Sequence, residues 1–147
     1  MSDANLATES HDRLADVVWR AMAAVVFDNR DAWKRSVIDH TGLPFSRVRV
    51  LRRLARRPMT AKEIAEAATM DAPATSVAVS DLEARGLVVR KADPTNRRSK
   101  VISLTVAGRR MIDGIDQLDD PAPPAIAALT ESELRTLAGI LAKLATP

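Results

Sequence analysis

Two adjacent guanidiniums, Arg97 and Arg98, sit in the stretch DPTNRRSKVISLT, where a polar loop runs into β-branched residues. Arg presents a planar fork of N–H donors that matches phosphate oxygens, and Lys adds a compact positive charge. With Arg90 and Lys100 on either side, this spacing suits capture of a polyanion and offers no bond-making chemistry. Arg97 and Arg98 are the leading contacts, while Arg90 and Lys100 flank them and suit phosphates better than bases. A second set of arginines, between Arg47 and Arg57, divides between phosphate-facing groups and partners for acids on the flanking helices.

Other chemistries find little support. Cysteine is absent, which removes disulfides and thiolate nucleophiles. His11 and His40 are isolated, without a third ligand at metal spacing, so no metal is expected. Asp119 and Asp120 stand beside prolines and read as a solvated linker instead of a catalytic dyad. No Gly-rich phosphate loop and no Ser/His/Asp arrangement is apparent, so neither an enzyme nor a cofactor is expected. The few aromatic residues, Trp19, Trp33, Phe27 and Phe45, argue against base-stacking platforms for single strands. No signal peptide or bilayer-length apolar run is evident, so a cytoplasmic protein without membrane contact is expected.

Charge is distributed unevenly along the 147 residues. Residues 1–46 carry 5 basic and 7 acidic groups, residues 47–110 carry 15 and 6, and residues 111–147 carry 2 and 6. A basic centre between acidic ends suggests a polyanion-binding middle held by flanks with another task.

The elements that must position these groups follow from periodicity. Leu14, Val17, Val18, Ala21, Met22 and Val25 recur at helical spacing, predicting a long amphipathic helix over about 10–38, broken near Asn29. Pro44 opens a helix with Val48, Leu51, Leu54 and Ala55 on one face, and Pro58 ends it. Thr60 and Glu63 have capping-box spacing for a short helix with Met59 ahead of it. After a tight connection, Asp71 caps a helix running to Gly86, with Ala78, Val79 and Leu82 inward. LVVRK and KVISLT then form a β-hairpin with a long polar tip. Helix resumes after Thr105, is cut at DDPAPPA, and returns at Thr130, a second capping box with Glu133. A short capped helix, a tight turn, a second helix and a basic hairpin make a helix-turn-helix with a wing. Such a helix fits the major groove of duplex DNA, and the hairpin reaches along the backbone or into the minor groove.

The segment from LPFSRVRV through DLEARGLV and DPTNRRSKVISLTVAG resembles the core of MarR-family transcriptional regulators, closely over about residues 43–110 and as a layout beyond. The resemblance implies a mainly α fold with a small β-wing: a winged helix-turn-helix at 43–106 between dimerisation helices at 1–42 and 107–147. It implies a homodimer on a pseudo-palindromic double-stranded DNA operator, with recognition helices roughly 34 Å apart. It further implies a repressor released by a small aromatic or anionic effector bound between the dimerisation and DNA-binding regions.

Departures from the family pattern refine these expectations. The recognition helix APATSVAVSDLE has no basic residue, so bidentate Arg–guanine readout is absent from it. Thr75, Ser76 and Ser80 can make single hydrogen bonds, and Ala74 and Val77 can meet thymine methyl groups. Asn96 stands where the family usually has Asp, which leaves Asp93 as the expected ion-pair partner for a wing arginine. The prolines after Asp120 shorten or kink the fifth helix, which is usually longer in the family, and alter the dimer's reach. Trp19, Met22, Trp33 and Arg49 are candidates to line an effector pocket, and they suit a dimer core equally well. Two other readings stay open: an architectural DNA binder with little sequence preference and no effector, or a helical protein-interaction module.

Overall fold

The computed structural model describes residues 3–145, and side chains from Ser10 onward. Chain contacts divide it into two compact units: one of α1 (Asp3–Asn29), α7 (Pro124–Ala127) and α8 (Glu131–Leu144), the other spanning 31–118.

In the 31–118 unit the order is α2 (Asp31–Thr41), α3 (Phe45–Leu54), β1 (Met59–Thr60), α4 (Ala61–Ala68), α5 (Ala72–Ala84), β2 (Val88–Asp93), β3 (Asn96–Leu104) and α6 (Val106–Asp116). The three strands form one antiparallel sheet in the order β1-β3-β2. The break expected near Asn29 falls at Arg30 and divides the N-terminal segment into two helices. Asn29 Nδ2 donates to the Val25 carbonyl at 2.7 Å, occupying an acceptor of the last turn of α1, and Asp31 opens α2.

This unit is wider than the 43–106 segment expected from the sequence, because one core joins its outer helices to it. Val37 of α2 and Ile115 of α6 are as buried as Leu51 and Leu54 of α3, Ile64 of α4, Leu82 of α5 and Ile102 of β3. Val50, not assigned to the inner face of α3, is buried there too. Two glycines stand at close approaches, the first against fixed backbone and the second against an exposed side chain. A Cβ at Gly108 would collide with the carbonyl oxygen of Leu87, and one at Gly114 would meet the His40 ring.

Local chemistry sets the helix-turn-helix. The Thr60 hydroxyl accepts from Glu63 N at 3.3 Å while the Glu63 carboxylate accepts from Thr60 N at 2.8 Å, closing the capping box of α4. The Thr60 N–H first, and then the Arg57 guanidinium, hold the Glu63 carboxyl below its ordinary range. The helix ends at Thr69, whose φ of 52° is left-handed and unfavourable for a β-branched residue. Asp71 Oδ1 then accepts from Ala74 N at 2.7 Å and starts α5. Gly86, at φ 73°, ends it: Gly86 N donates to Glu83 O and Leu87 N to Leu82 O, the paired bonds of a Schellman stop.

The hairpin differs from the expected long flexible tip. Strands β2 and β3 run up to a two-residue turn, Pro94–Thr95, and β1 adds a short third strand that pairs Met59 with Ile102 and Thr60 with Val101. Between the pairs Asp93–Asn96 and Ala92–Lys100, β3 carries Arg97, Arg98 and Ser99 with no residue opposite. The two arginines therefore lie on a bulge at the strand's start, not in a loose loop.

In the other unit, α8 begins with the second capping box, Thr130 with Glu133. Pro121, Pro123 and Pro124 interrupt the segment before it, leaving α7 only four residues long. Within this unit Arg30 pairs with Asp120 at 2.5 Å. Leu14, Val17, Trp19, Val26 and Phe27 of α1 and Leu144 of α8 are exposed. No helix among the described residues is long and apolar enough to cross a membrane.

Candidate nucleic-acid interface

The second helix of the motif, α5, is anchored by its inner face. Ala78, Val79 and Leu82 are buried, and Asp81 takes Arg47 of α3 at 3.2 Å and Arg85 at 3.0 Å. Those two guanidiniums, Arg85 first, hold the Asp81 carboxyl below its ordinary range. Outward, Ala74, Ser76, Val77 and Ser80 are exposed, Val77 to 61%.

Thr75 is a correction. It was expected to face bases, but it is 1% exposed and its hydroxyl donates to the Asp71 carbonyl at 2.8 Å. At the fourth position of α5 its side chain folds back onto the first turn, so it supports the cap and reads nothing outside.

The bulged wing is pinned at its tip by short polar side chains. Asp93 Oδ1 accepts from both Thr95 N and Thr95 Oγ1, at 2.9 and 2.8 Å, and Asn96 Oδ1 accepts from Arg98 N at 3.1 Å. The Thr95 N–H is the main cause that lowers the Asp93 carboxyl below its ordinary range. Asp93 therefore braces the turn through Thr95, and the ion pair to a wing arginine that the sequence suggested is not formed. Arg97, Arg98 and Lys100 are exposed, and none has a side-chain partner among the described residues. Arg90 is different. It is half-buried, donates to Ser80 Oγ at 2.9 Å and lies 3.6 Å from Glu83, so it is not the free flanking cation that the sequence suggested.

The arginines of α3 and its end also have assignable neighbours. Arg57 pairs with Glu63 at 3.2 Å, Arg52 with Asp116 at 3.5 Å, and Arg49 donates to the Ala68 carbonyl. Arg53 and Arg56 have no ion pair among the described residues. Arg49, Arg52 and Arg53 of α3 and Arg56 just beyond its end line a cavity of about 300 Å³ with Ile112 and Asp116 of α6.

The four candidate effector residues do not share a unit. Trp33 and Arg49 belong to the 31–118 unit, where Trp33 meets Phe45 edge-on at 6.0 Å and lies under the Arg52 guanidinium at 5.1 Å. Trp19 and Met22 belong to the other and line an apolar groove of about 490 Å³ with Leu14, Val18 and Leu144. Among the described residues no group of three or more His, Cys, Asp or Glu is placed to hold a metal ion. The sequence reading missed the Asn96 cap and the Arg90–Ser80 link. The first has a local signal, Asn two residues before Arg98; the second joins positions whose proximity depends on the whole fold.

Residues 41–99 match the model of the MarR family. YwhA of Bacillus subtilis (strain 168), an uncharacterized HTH-type transcriptional regulator, is 34% identical over 90 residues, 58% of this chain. The chain spans 63% of the length of that curated relative. A cysteine-to-serine mutant of MarR from E. coli, alone and complexed with operator DNA, superposes with TM-scores of 0.73 and 0.62 at 21% identity. These matches cover 86% and 88% of this chain and 95% and 94% of the MarR chains. NadR in complex with 4-hydroxyphenylacetate superposes with a TM-score of 0.59 at 21% identity, covering 90% of this chain and 92% of its own. At these identities the likeness is one of fold. The matched segment covers the helix-turn-helix and most of the wing, so over residues 41–99 the chain is similar to the winged helix-turn-helix of the MarR family.

Proposed function

We propose that this protein is a dimeric transcriptional regulator that binds duplex DNA and acts as a repressor released by a small aromatic or anionic molecule. The observation that carries the DNA reading is the wing. Arg97, Arg98 and Lys100 are exposed and without side-chain partners among the described residues, the two arginines on a bulge braced by Asp93 and Asn96 and Lys100 at its edge, in the same unit as the exposed face of α5. The MarR complex with operator DNA supports the same use of the fold. In this reading the wing arginines take phosphates and supply a large share of affinity, while α5 adds sequence preference through Ser76, Ala74 and Val77, the Ser80 hydroxyl being engaged by Arg90. Val77 and Ala74 favour thymine methyl groups, so A·T-bearing half-sites are preferred and guanine is weakly discriminated.

The dimer reading rests on the exposed apolar groove along α1 and α8 in the terminal unit. A second copy is its proposed cover. The effector reading rests on the arginine-lined cavity between α3 and α6, which offers charge to an anion and the apolar side chain of Ile112 to a ring. NadR with bound 4-hydroxyphenylacetate supports an effector of that class.

The absence of any basic residue on the outer face of α5 favours a second reading, an architectural binder with little sequence preference. Competition decides between them. A specific regulator bound to its preferred duplex at physiological salt resists displacement by random duplex; equal displacement by both supports the architectural reading, and no duplex binding at all contradicts the proposal.

A further inference from the structure

Arg90, on β2, belongs neither to the free cations of the wing nor to the core. Its Nη2 donates to Ser80 Oγ at 2.9 Å, and its Nε lies 3.6 Å from a Glu83 carboxylate oxygen. Nε is buried and has no hydrogen-bond partner, so the Glu83 contact is Coulombic. Ser80 and Glu83 are three residues apart and share one side of α5, so one planar fork spans two acceptors a turn apart. Across the ladder Arg90 pairs with Ile102, whose side chain is in the core. From Lys91 to the tip no side chain bonds to α5 among the described residues, which makes Arg90 the outermost such link between hairpin and helix.

We propose that Arg90 is a positioning residue: acting through Ser80 and Glu83, it locks the wing to the recognition helix and does not itself contact phosphate. The proposal rests on the DNA-binding reading above. The outer face of α5 and the wing bulge address different parts of the duplex, so their separation must match the DNA. A hairpin that swings freely would have to be ordered at the moment of binding, and that cost is taken from affinity. Holding the bulge in register beforehand removes it. Arg90 differs in this from Arg97 and Arg98, whose expected role is electrostatic.

Phosphate contact and positioning separate in the salt dependence of binding. The measurements use full-length protein and the duplex recovered by wild type from a random pool, with Arg90→Lys, Arg90→Ala, Ser80→Ala and the Ser80→Ala/Arg90→Ala double variant. Arg90→Ala is expected to bind several-fold more weakly with an unchanged slope of log K against log salt. Arg90→Lys, which keeps the charge but cannot span both acceptors, should be nearly as weak. Ser80→Ala should add little in the Arg90→Ala background. Recovery of wild-type binding by Arg90→Lys, or a slope smaller by about 0.9 per lobe, would make Arg90 a phosphate contact and overturn the proposal.

A readout without DNA keeps the inference independent. In the free protein, amide exchange across 91–100 should quicken in Arg90→Ala while α3 and α4 stay protected. Unchanged exchange in the hairpin overturns the lock, whatever the DNA result. If wild type binds no duplex, the DNA reading fails, and the exchange measurement alone decides the lock. If Arg90→Ala fails to fold, Arg90→Lys and Ser80→Ala carry the same comparisons.

Discussion

Replacing Arg97 and Arg98 together by Ala removes two exposed guanidiniums that make no side-chain bond within the fold. Stability should therefore stay within about 0.5 kcal/mol of wild type, the usual range for surface substitutions. DNA binding should not. Each phosphate contact contributes about 0.9 to the slope of log K against log salt. If both arginines reach phosphate, the variant loses about 1.8 per lobe, or about 3.6 in a dimer that seats two lobes. Over a fourfold rise in salt, wild type is then weakened relative to the variant by about 3.5-fold for every contact removed. Fluorescence anisotropy with a labelled duplex at four or five salt concentrations, alongside thermal melts, gives both quantities. Parallel salt lines for variant and wild type, with unchanged melting, would refute the electrostatic role of the wing and favour a protein-interaction module.

Four further outcomes follow from particular contacts. Thr69→Asn should stabilise the protein by about 1 kcal/mol, because a left-handed residue costs about 1–2 kcal/mol that Asn largely avoids; a lower melting temperature would contradict the strain at this turn. Gly108→Ala should destabilise by at least about 1–3 kcal/mol, since its methyl meets the Leu87 carbonyl oxygen and the chain must shift; a neutral melt would refute that close approach. Glu63, Asp81, Asp93 and Glu133 all have carboxyls held below their ordinary range, the last chiefly by the Thr130 N–H. The folded state thus prefers them ionised: their contribution is complete above the ordinary carboxylate range and is lost as pH falls below about 4. Melting temperature should drop over that interval, less steeply in Glu63→Gln, and a rise on acidification would reverse the sign. Trp19→Arg, on the exposed groove of α1, should convert dimer to monomer in sedimentation velocity; an unchanged mass would remove this face from the interface.

Signals that act within a few residues carried most of the fold. The capping boxes at Thr60 and Thr130, the Asp71 cap and the Gly86 stop each couple a side chain or a φ angle to a helix end nearby. All four stand in the structure where the spacing put them. Strand β1 was illegible because Met59 and Thr60 become a strand only by pairing with Ile102 and Val101, some forty residues away. The same holds for the extent of the core: nothing local to Val37 or Ile115 reveals that both join it. Thr75 was misread because the period that buries Ala78, Val79 and Leu82 reaches back one turn to it, and its polarity masked this. At the site, the sequence supplied the charges but not their engagement. Arg97 and Arg98 are free, whereas Arg47, Arg52, Arg57 and Arg90 are tied to carboxylates on other elements, and only folding sorts one set from the other.

Selection of bound sequences from a random duplex pool tests the central claim most directly. Enrichment of a two-fold related site is expected, with A·T-bearing half-sites about one helical turn apart, roughly 34 Å between centres. Recovery of a pool that remains random, or of single-stranded or no nucleic acid, would contradict it.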